Sequence, residues 1–486
     1  MSSSVDVTTW KKQSGFIWSL IGSAVGFANV LSFSAQCYKN GGGAFLIPYI
    51  IALLVLGIPL LILEGFIGYR WKLPLVPSYG KVWKGPGRTL GWIAVLACIT
   101  IGAFYIVLTG YSVAYIYFTA TSSIPEDTAS FFKNDFLQAT PSIGDFGKFS
   151  IGAFIATLTV AIFSWFVLVK NIRDGLERIC TLFMPLLAVF MAVFAIVVLF
   201  LPGASHGWIW YLKPDFSKLL EPRLWRDVFG QLLFSLSLGL GIVVGYSRHT
   251  QNNTNIPQSM VLVAIGDFLV SFVCGFAIFG CIAHMSFTSN IPMNQIISSD
   301  SSFEIGFVIF PQILKAFGPY LSPIIGSLFF FCVFIAGITG VFSIVESIAG
   351  NIETEFHRTR KVAVSWTIAI LVLLSTFFCM GNSSHIIDAL APMVMGNNML
   401  LGSIMLCFAF MYHTKKRSEN IFLSQRKKGF SYYSLKYVLP YFLSVILVAN
   451  VISEFQDFTI GSIIQLLWIA IAIVAASMLA RKTRND

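Results

Sequence analysis

The stretch Gly22-Ser-Ala-Val-Gly-Phe-Ala-Asn29 is small and polar inside an apolar run where a lipid-facing helix would prefer leucine and isoleucine. A second, Gln231-Leu-Leu-Phe-Ser-Leu-Ser-Leu-Gly-Leu-Gly241, is again small and hydroxylated at its centre. Glycine lowers helix propensity, and the hydroxyl and carboxamide groups can satisfy peptide groups that unwinding frees. In hydrocarbon such unwinding is tolerable only where it lines a cavity within the protein. Close packing through small-xxx-small contacts would account for either stretch alone. Asp267 adds a carboxyl group within another apolar run. Acids there are costly enough to be functional by default, the plain reading being a structural acid hydrogen-bonded to Gln231, Ser235 or Tyr49. Other chemistry is poorly supplied. The six histidines lie in loops or near the ends of apolar runs without HExxH spacing, and the eight cysteines form no CxxC pair, so enzyme and metal-cluster readings are weak.

The elements that must position these residues are membrane helices. With 56% hydrophobic and 11% charged residues, the chain has too few charges to solvate a soluble surface. Runs of about 20 apolar residues, the length of a spanning helix, can be laid nearly end to end. Twelve are expected, near residues 14–36, 43–69, 89–119, 149–168, 177–201, 226–247, 258–284, 320–350, 362–380, 386–411, 437–454 and 461–480. No cleavable signal peptide is evident. With the N-terminus inside, the inner loops receive Arg70, Lys72, Lys81, Lys84, Arg88, Lys170, Arg173, Arg178, Arg358, Arg360, Lys361, the cluster from Lys415 to Lys436, and Arg481, Lys482 and Arg484. The outer loops hold Glu126, Asp127, Asp135, Asp145, Asp300 and Glu304. That is the positive-inside pattern, so the net charge of +10 reads as topology rather than as a nucleic-acid patch. Both termini fall inside. The interrupted spans are the first and the sixth, corresponding positions in successive five-span halves, which is the mark of an inverted repeat. The expected fold is therefore an all-α polytopic membrane protein, a single domain over 1–486. Its first repeat runs over 14–201, its second over 226–411, and two accessory helices over 437–480.

At these residues the chain resembles the neurotransmitter:sodium symporter family. Trp10, Gly15 and Phe16 lead into the first broken stretch, followed by Asn40-Gly-Gly-Gly-Ala-Phe-Leu-Ile-Pro-Tyr49 and Gly57-Ile-Pro-Leu-Leu-Ile-Leu-Glu64. Further landmarks are Phe104-Tyr105, Gly230-Gln231, Phe234-Ser-Leu-Ser-Leu-Gly239, Gly275-Phe276, Ala336-Gly-Ile-Thr339 and Glu346, while the last two spans match in hydropathy alone. The resemblance implies sodium-coupled symport of a small amino acid or a related zwitterion by alternating access, in the plasma (inner) membrane. One ion site would use Ala24, Asn29, Ser235 and Asp267 with the substrate carboxylate. A second would use the carbonyls of Gly22, Val25 and Ala336 with the Thr339 hydroxyl, and is weakened because Gly340 stands where the family places an oxygen-bearing side chain. Oxygen-rich, nearly uncharged sites of this kind suit a hard cation. One or two sodium ions would be coupled.

The same resemblance places the substrate among Ser23, Ala24, Gly26, Ala28, Ile101, Tyr105, Phe234, Ser237, Leu240, Gly340 and Ile344. Gly26 stands where amine carriers have an aspartate, so an amino acid is expected, with Tyr105 at its carboxylate. The side-chain pocket is mostly apolar and Gly340 should widen it, which favours a neutral hydrophobic or aromatic substrate. Asp267 stands where chloride-dependent members have asparagine, with Ser271 one turn later on the same face. Its charge would make chloride unnecessary. Glu64 and Glu346 are expected to brace unwound backbone. The gates depart from the family: Ser32 replaces the outer-gate arginine, with Asp388 or Ala391 at the partner position, while Val7 and Thr354 replace the inner pair. A channel would lack substrate-linked closure, and a non-transporting amino-acid sensor of the same fold is the other reading these departures allow. The oligomeric state is not legible.

Overall fold

The computed structural model describes residues 9–84, 86–296, 305–413 and 429–485. Val7, Asp300, Glu304 and the basic residues from Lys415 to Lys428 lie outside the described residues. Among the described residues the chain is helical, with no sheet and one isolated bridge, between Phe149 and Met380. Helices α1 (Gln13–Ala24) and α2 (Ala28–Lys39) meet at a 57° bend. Then come α3 (Gly43–Trp71), α4 (Pro86–Ala120), α5 (Ile151–Leu168) and α6 (Arg173–Leu199). A second interrupted pair, α7 (Pro222–Ser235) and α8 (Ile242–Ser247), precedes α9 (Ile256–Ser289) and α10 (Gly318–Glu355). The chain continues through α11 (Arg360–Ser375), α12 (Ser383–Met411), α13 (Phe430–Gln456) and α14 (Ile460–Thr483). Among the described residues nine helices are long and apolar enough to cross a membrane, or ten with the bent pair taken as one. Helices α7, α8 and α11, at 14, 6 and 16 residues, are each too short to span alone.

Both expected interruptions are present. Helix α1 stops where Val25 turns extended at ψ 104, and α2 begins in a wide turn over Ala28–Ser32 that carries Asn29. Between α7 and α8, residues 236–241 leave the helix, with Ser237, Gly239 and Gly241 at φ 53, 79 and 75. Glycine suits this conformation. At Gly239 a Cβ would also collide with the Met399 carbonyl, so α12 comes in close because that position lacks a side chain.

Burial decides the layering. The most apolar windows of α4 and α10 are 78% and 83% buried, against 22% for α13 and α14, so the first two form the centre and the last two the rim. Basic residues from the expected inner loops gather at one end. Lys72 donates to Thr250, Arg173 to Thr9, Arg360 to Lys170 and Arg88 to Thr483. The first and last described segments therefore share one face of the bundle. All eight cysteines are buried and unpaired with one another, as expected of packing residues.

Candidate functional site

The eleven residues expected around a substrate line one cavity at the meeting point of the two breaks: Ser23, Ala24, Gly26, Ala28, Ile101, Tyr105, Phe234, Ser237, Leu240, Gly340 and Ile344. Cys98, Ile242, Ser343 and Met399 complete the lining. The family landmarks do not contain them: Cys98, Ile242 and Ser343 lie within a few residues of landmark segments, whereas Met399, on α12, has no landmark near it in sequence. The cavity holds about 30 Å³, room for roughly one or two waters. Tyr105 fills space beside it. Its hydroxyl accepts from the Phe27 N–H at 3.4 Å, and its ring packs on Phe27 with centroids 5.0 Å apart. A Cβ on Gly26 would lie 2.5 Å from the Tyr105 oxygen, and one on Gly340 2.6 Å from it. Gly340 does not widen the pocket here: the room it leaves is filled by the tyrosine, which lies wedged between two glycines.

Asn29 organises the first proposed ion site. Its Oδ1 accepts from the Gly26 N–H at 2.9 Å, holding the break open. Its Nδ2 donates to Asp267 Oδ1 at 2.7 Å, Ser271 Oγ at 2.7 Å and Ser235 Oγ at 3.1 Å. Ser235 Oγ lies 3.0 Å from each Asp267 oxygen. The acid is fully buried, and such a group needs partners to offset its desolvation. Those partners are the side chains whose oxygens the resemblance assigns to the ion, so cation entry would exchange hydrogen bonds for ligation. Gln231 is engaged elsewhere, accepting from Ser32 at 2.8 Å and donating to the Ala28 carbonyl at 2.8 Å.

At the second site, Thr339 Oγ1 donates to Ile335 O at 2.9 Å and to Ala336 O at 3.2 Å. Gly22 faces Met184 and Cys180 with its α-carbon, leaving its carbonyl and that of Val25 at the end of α1. Of the two bracing acids, Glu64 behaves as expected: its Oε1 accepts from the Gly239 N–H at 2.7 Å, in the middle of the second break. Glu64→Ala would orphan that buried donor. A buried donor left unsatisfied costs about 1–3 kcal/mol, and thermal unfolding of the purified protein should show a loss of that size. Glu346 differs from expectation. It bonds Arg248, at the end of α8, and Arg360 rather than unwound backbone.

The side expected to face outward carries a cavity of about 380 Å³ next to Phe234, which lines both cavities. Its α12 lining, Pro392, Met395, Gly396 and Asn397, is uncharged. Asp388 lies instead in a separate pocket with Tyr111, Lys133 and His385. At the position expected for the outer gate, Ser32 bonds Gln231 and the Phe234 ring lies below. At the other end Thr354 bonds its own helix through Gly350 O at 3.0 Å.

Two discontinuous helices around a buried cavity, with the Asn29, Ser235 and Asp267 cluster beside it, define a class, multi-pass membrane proteins that handle a small solute between their helices. The family follows from the chain as a whole. The protein belongs to the sodium:neurotransmitter symporter family, whose model matches residues 7–130 and 125–482. It is 34% identical over 397 residues to an uncharacterised sodium-dependent transporter of Methanocaldococcus jannaschii, covering 82% of this chain and 80% of that one. To the sodium-dependent dopamine transporter of Bos taurus it is 27% identical, covering 97% and 73%. The crystal structure of MhsT in complex with L-phenylalanine matches its fold with a TM-score of 0.78 at 24% identity, covering 91% of this chain and 99% of that one. The chain is thus a sodium-dependent symporter of the membrane, in a family of transporters rather than enzymes.

Proposed function

We propose that this symporter imports a neutral, hydrophobic or aromatic amino acid by alternating access. On this reading twelve spans, a five-plus-five inverted repeat and two accessory helices make one domain in the plasma (inner) membrane, with both termini cytoplasmic. The observation that carries it is the convergence of both breaks on one cavity, uncharged at Gly26, apolar at Ile101, Phe234, Leu240 and Ile344, and bordered by Asn29, Ser235 and Asp267. A zwitterion fits that division: peptide carbonyls take its ammonium, and sodium, Tyr105 and the start of α2 take its carboxylate. The ligand named for MhsT is of the same class. Substrate entry would swing Tyr105 off Gly340 and enlarge the cavity.

Sodium binds through Ala24, Asn29, Ser235 and Asp267, and through Gly22, Val25, Ala336 and Thr339 if a second ion is carried. One ion crossing at 100 mV contributes about 2.3 kcal/mol and a tenfold gradient about 1.4 kcal/mol, which supports roughly 500-fold accumulation of a neutral solute. Coupling requires that the inward state bind sodium less well than the outward one. Radiolabelled uptake into proteoliposomes, with and without a sodium gradient and screened over the amino acids, tests this. Phenylalanine, leucine or a similar solute should accumulate only with sodium, and replacing chloride by gluconate should change little. Saturable sodium-dependent binding without flux would leave a sensor in place of a carrier.

A further inference from the structure

Neither residue of the expected inner-gate pair carries a charge, since Val7 and Thr354 occupy those positions. The structure places a different set of charges at that end of the bundle. Arg248, just past α8, has a side chain only 6% exposed. Its Nη2 lies 3.0 Å from Glu353 Oε2 and 3.4 Å from Glu346 Oε1, and its Nη1 donates to Gly350 O at 3.4 Å. Arg360, at the start of α11, pairs with Glu346 Oε2 at 2.9 Å. The guanidinium sits in a notch on α10 made by Gly350, where a Cβ would come within 2.8 Å of Nη2 and 2.9 Å of Cζ.

Trp10 closes over the same place. Its backbone N–H donates to His249 O at 2.9 Å and its indole N–H to Tyr246 O at 3.0 Å, with the ring 2% exposed. Arg248 Nε donates to His249 Nε2 at 2.8 Å. Burial and the adjacent Arg248 push the His249 imidazole down to about 4, so it is neutral and accepts this bond. The cluster then holds two guanidinium groups against two carboxylates, a balanced set in a desolvated place. Helix α8 is six residues long. At its other end Gly239 and Gly241 hold the chain at φ 79 and 75. It is a short lever with a turn at one end and an ion pair at the other.

We propose that Arg248 is the latch of the inner gate, docking α8 and Trp10 onto Glu346, Glu353 and Gly350 of α10, in place of the charged pair missing at Val7 and Thr354. It is a positioning residue and does not touch substrate or ion. This rests on the alternating-access reading above. Release of solute on this side requires α8 and the segment at Trp10 to leave α10, and the Arg248 contacts are those that break. Leaving one charge buried without its partner is costly, so the pair should come apart as water enters, which makes the closed and open arrangements discrete.

The test uses the full chain with Ser347→Cys as a reporter. Ser347 is 2% exposed on α10, and its Cα is 3.8 Å from where a Gly245 Cβ would stand on α8. Maleimide labelling at position 347, resolved from the native cysteines by peptide mass spectrometry, should be slow in sodium and faster without it. Adding Arg248→Gln should raise the rate in sodium at least tenfold and blunt the sodium effect. Gly350→Ala, which keeps every charge but fills the notch, should move it the same way. Glu353→Gln should add little once Arg248 is gone. Labelling at the parent rate in folded Arg248→Gln and Gly350→Ala proteins overturns the latch, even where thermal stability falls, because a purely structural ion pair would do only that. If the parent itself labels equally with and without sodium, the alternating-access reading fails instead.

Discussion

Asp267→Asn should remove sodium-driven uptake in gluconate while leaving part of it in chloride. The carboxylate is fully buried, and Asn29 and Ser235 meet it at 2.7 to 3.0 Å. Asparagine keeps the shape and removes the charge. A desolvated sodium ion ligated by neutral oxygens alone would then lack a counter-charge. Bonds to charged groups run at about 1.5–3 kcal/mol, and losing about 3 kcal/mol costs roughly 100-fold in sodium affinity. A halide could restore the charge, since the Ser235 and Ser271 hydroxyls, both within reach of Asn29 Nδ2, can turn to donate to an anion. Sodium titrations of uptake in the two anions measure this, with thermal unfolding as a check on folding. If the variant keeps the parent's sodium dependence in gluconate, Asp267 is a structural acid and not an ion ligand.

Gly26→Ala should lower apparent substrate affinity about 10- to 100-fold, equivalent to about 1–3 kcal/mol of overpacking, because the Tyr105 hydroxyl that meets the carboxylate stays beside Gly26 when substrate is bound. The new methyl would stand 2.5 Å from the Tyr105 oxygen. Ordinarily the end of a tyrosine can move aside. Here the ring is 6% exposed, with Phe27 beside it and Gly340 on its other flank, where the ring atoms Cε1 and Cζ already lie 2.8 and 2.9 Å from a Cβ position. The clash has one relief. Without the hydroxyl, the nearest tyrosine atom to that methyl is Cζ at 3.7 Å, an ordinary contact. Tyr105→Phe alone should weaken substrate binding about tenfold, the value of one hydrogen bond to a charged group. Added to Gly26→Ala it should recover affinity instead, a non-additivity that reports direct contact. Scintillation-proximity binding of the radiolabelled amino acid gives all four affinities. Parent-like binding by Gly26→Ala would mean that the ring leaves the wedge freely.

The candidate site was legible to the extent that it is local. Gly22 to Asn29 and Gln231 to Gly241 announce their breaks through their own composition, and the backbone departs from helix at residues 25–26 and 236–241, inside both stretches. Glu64 was placed correctly because its partner, Gly239, belongs to the break it was expected to brace. Glu346 was misplaced because its partners, Arg248 and Arg360, belong to segments whose packing no spacing reveals. A charge beside the end of a broken helix, Arg248, was a signal available for a gate, with His249 next to it. Its meaning depends on a glycine 102 residues away.

The sequence by itself determined that the chain is helical and membrane-embedded, and where two of its helices fail. Hydrocarbon enforces internal hydrogen bonding over each short stretch, so residue type alone decides those properties. Tertiary structure decided what occupies the space at Gly340, which donors satisfy Asp267, and which charges pair around Arg248. Each is a contact between side chains far apart in sequence, fixed by the docking of helices, and a substitution on either partner changes it without leaving a trace in the other's local pattern.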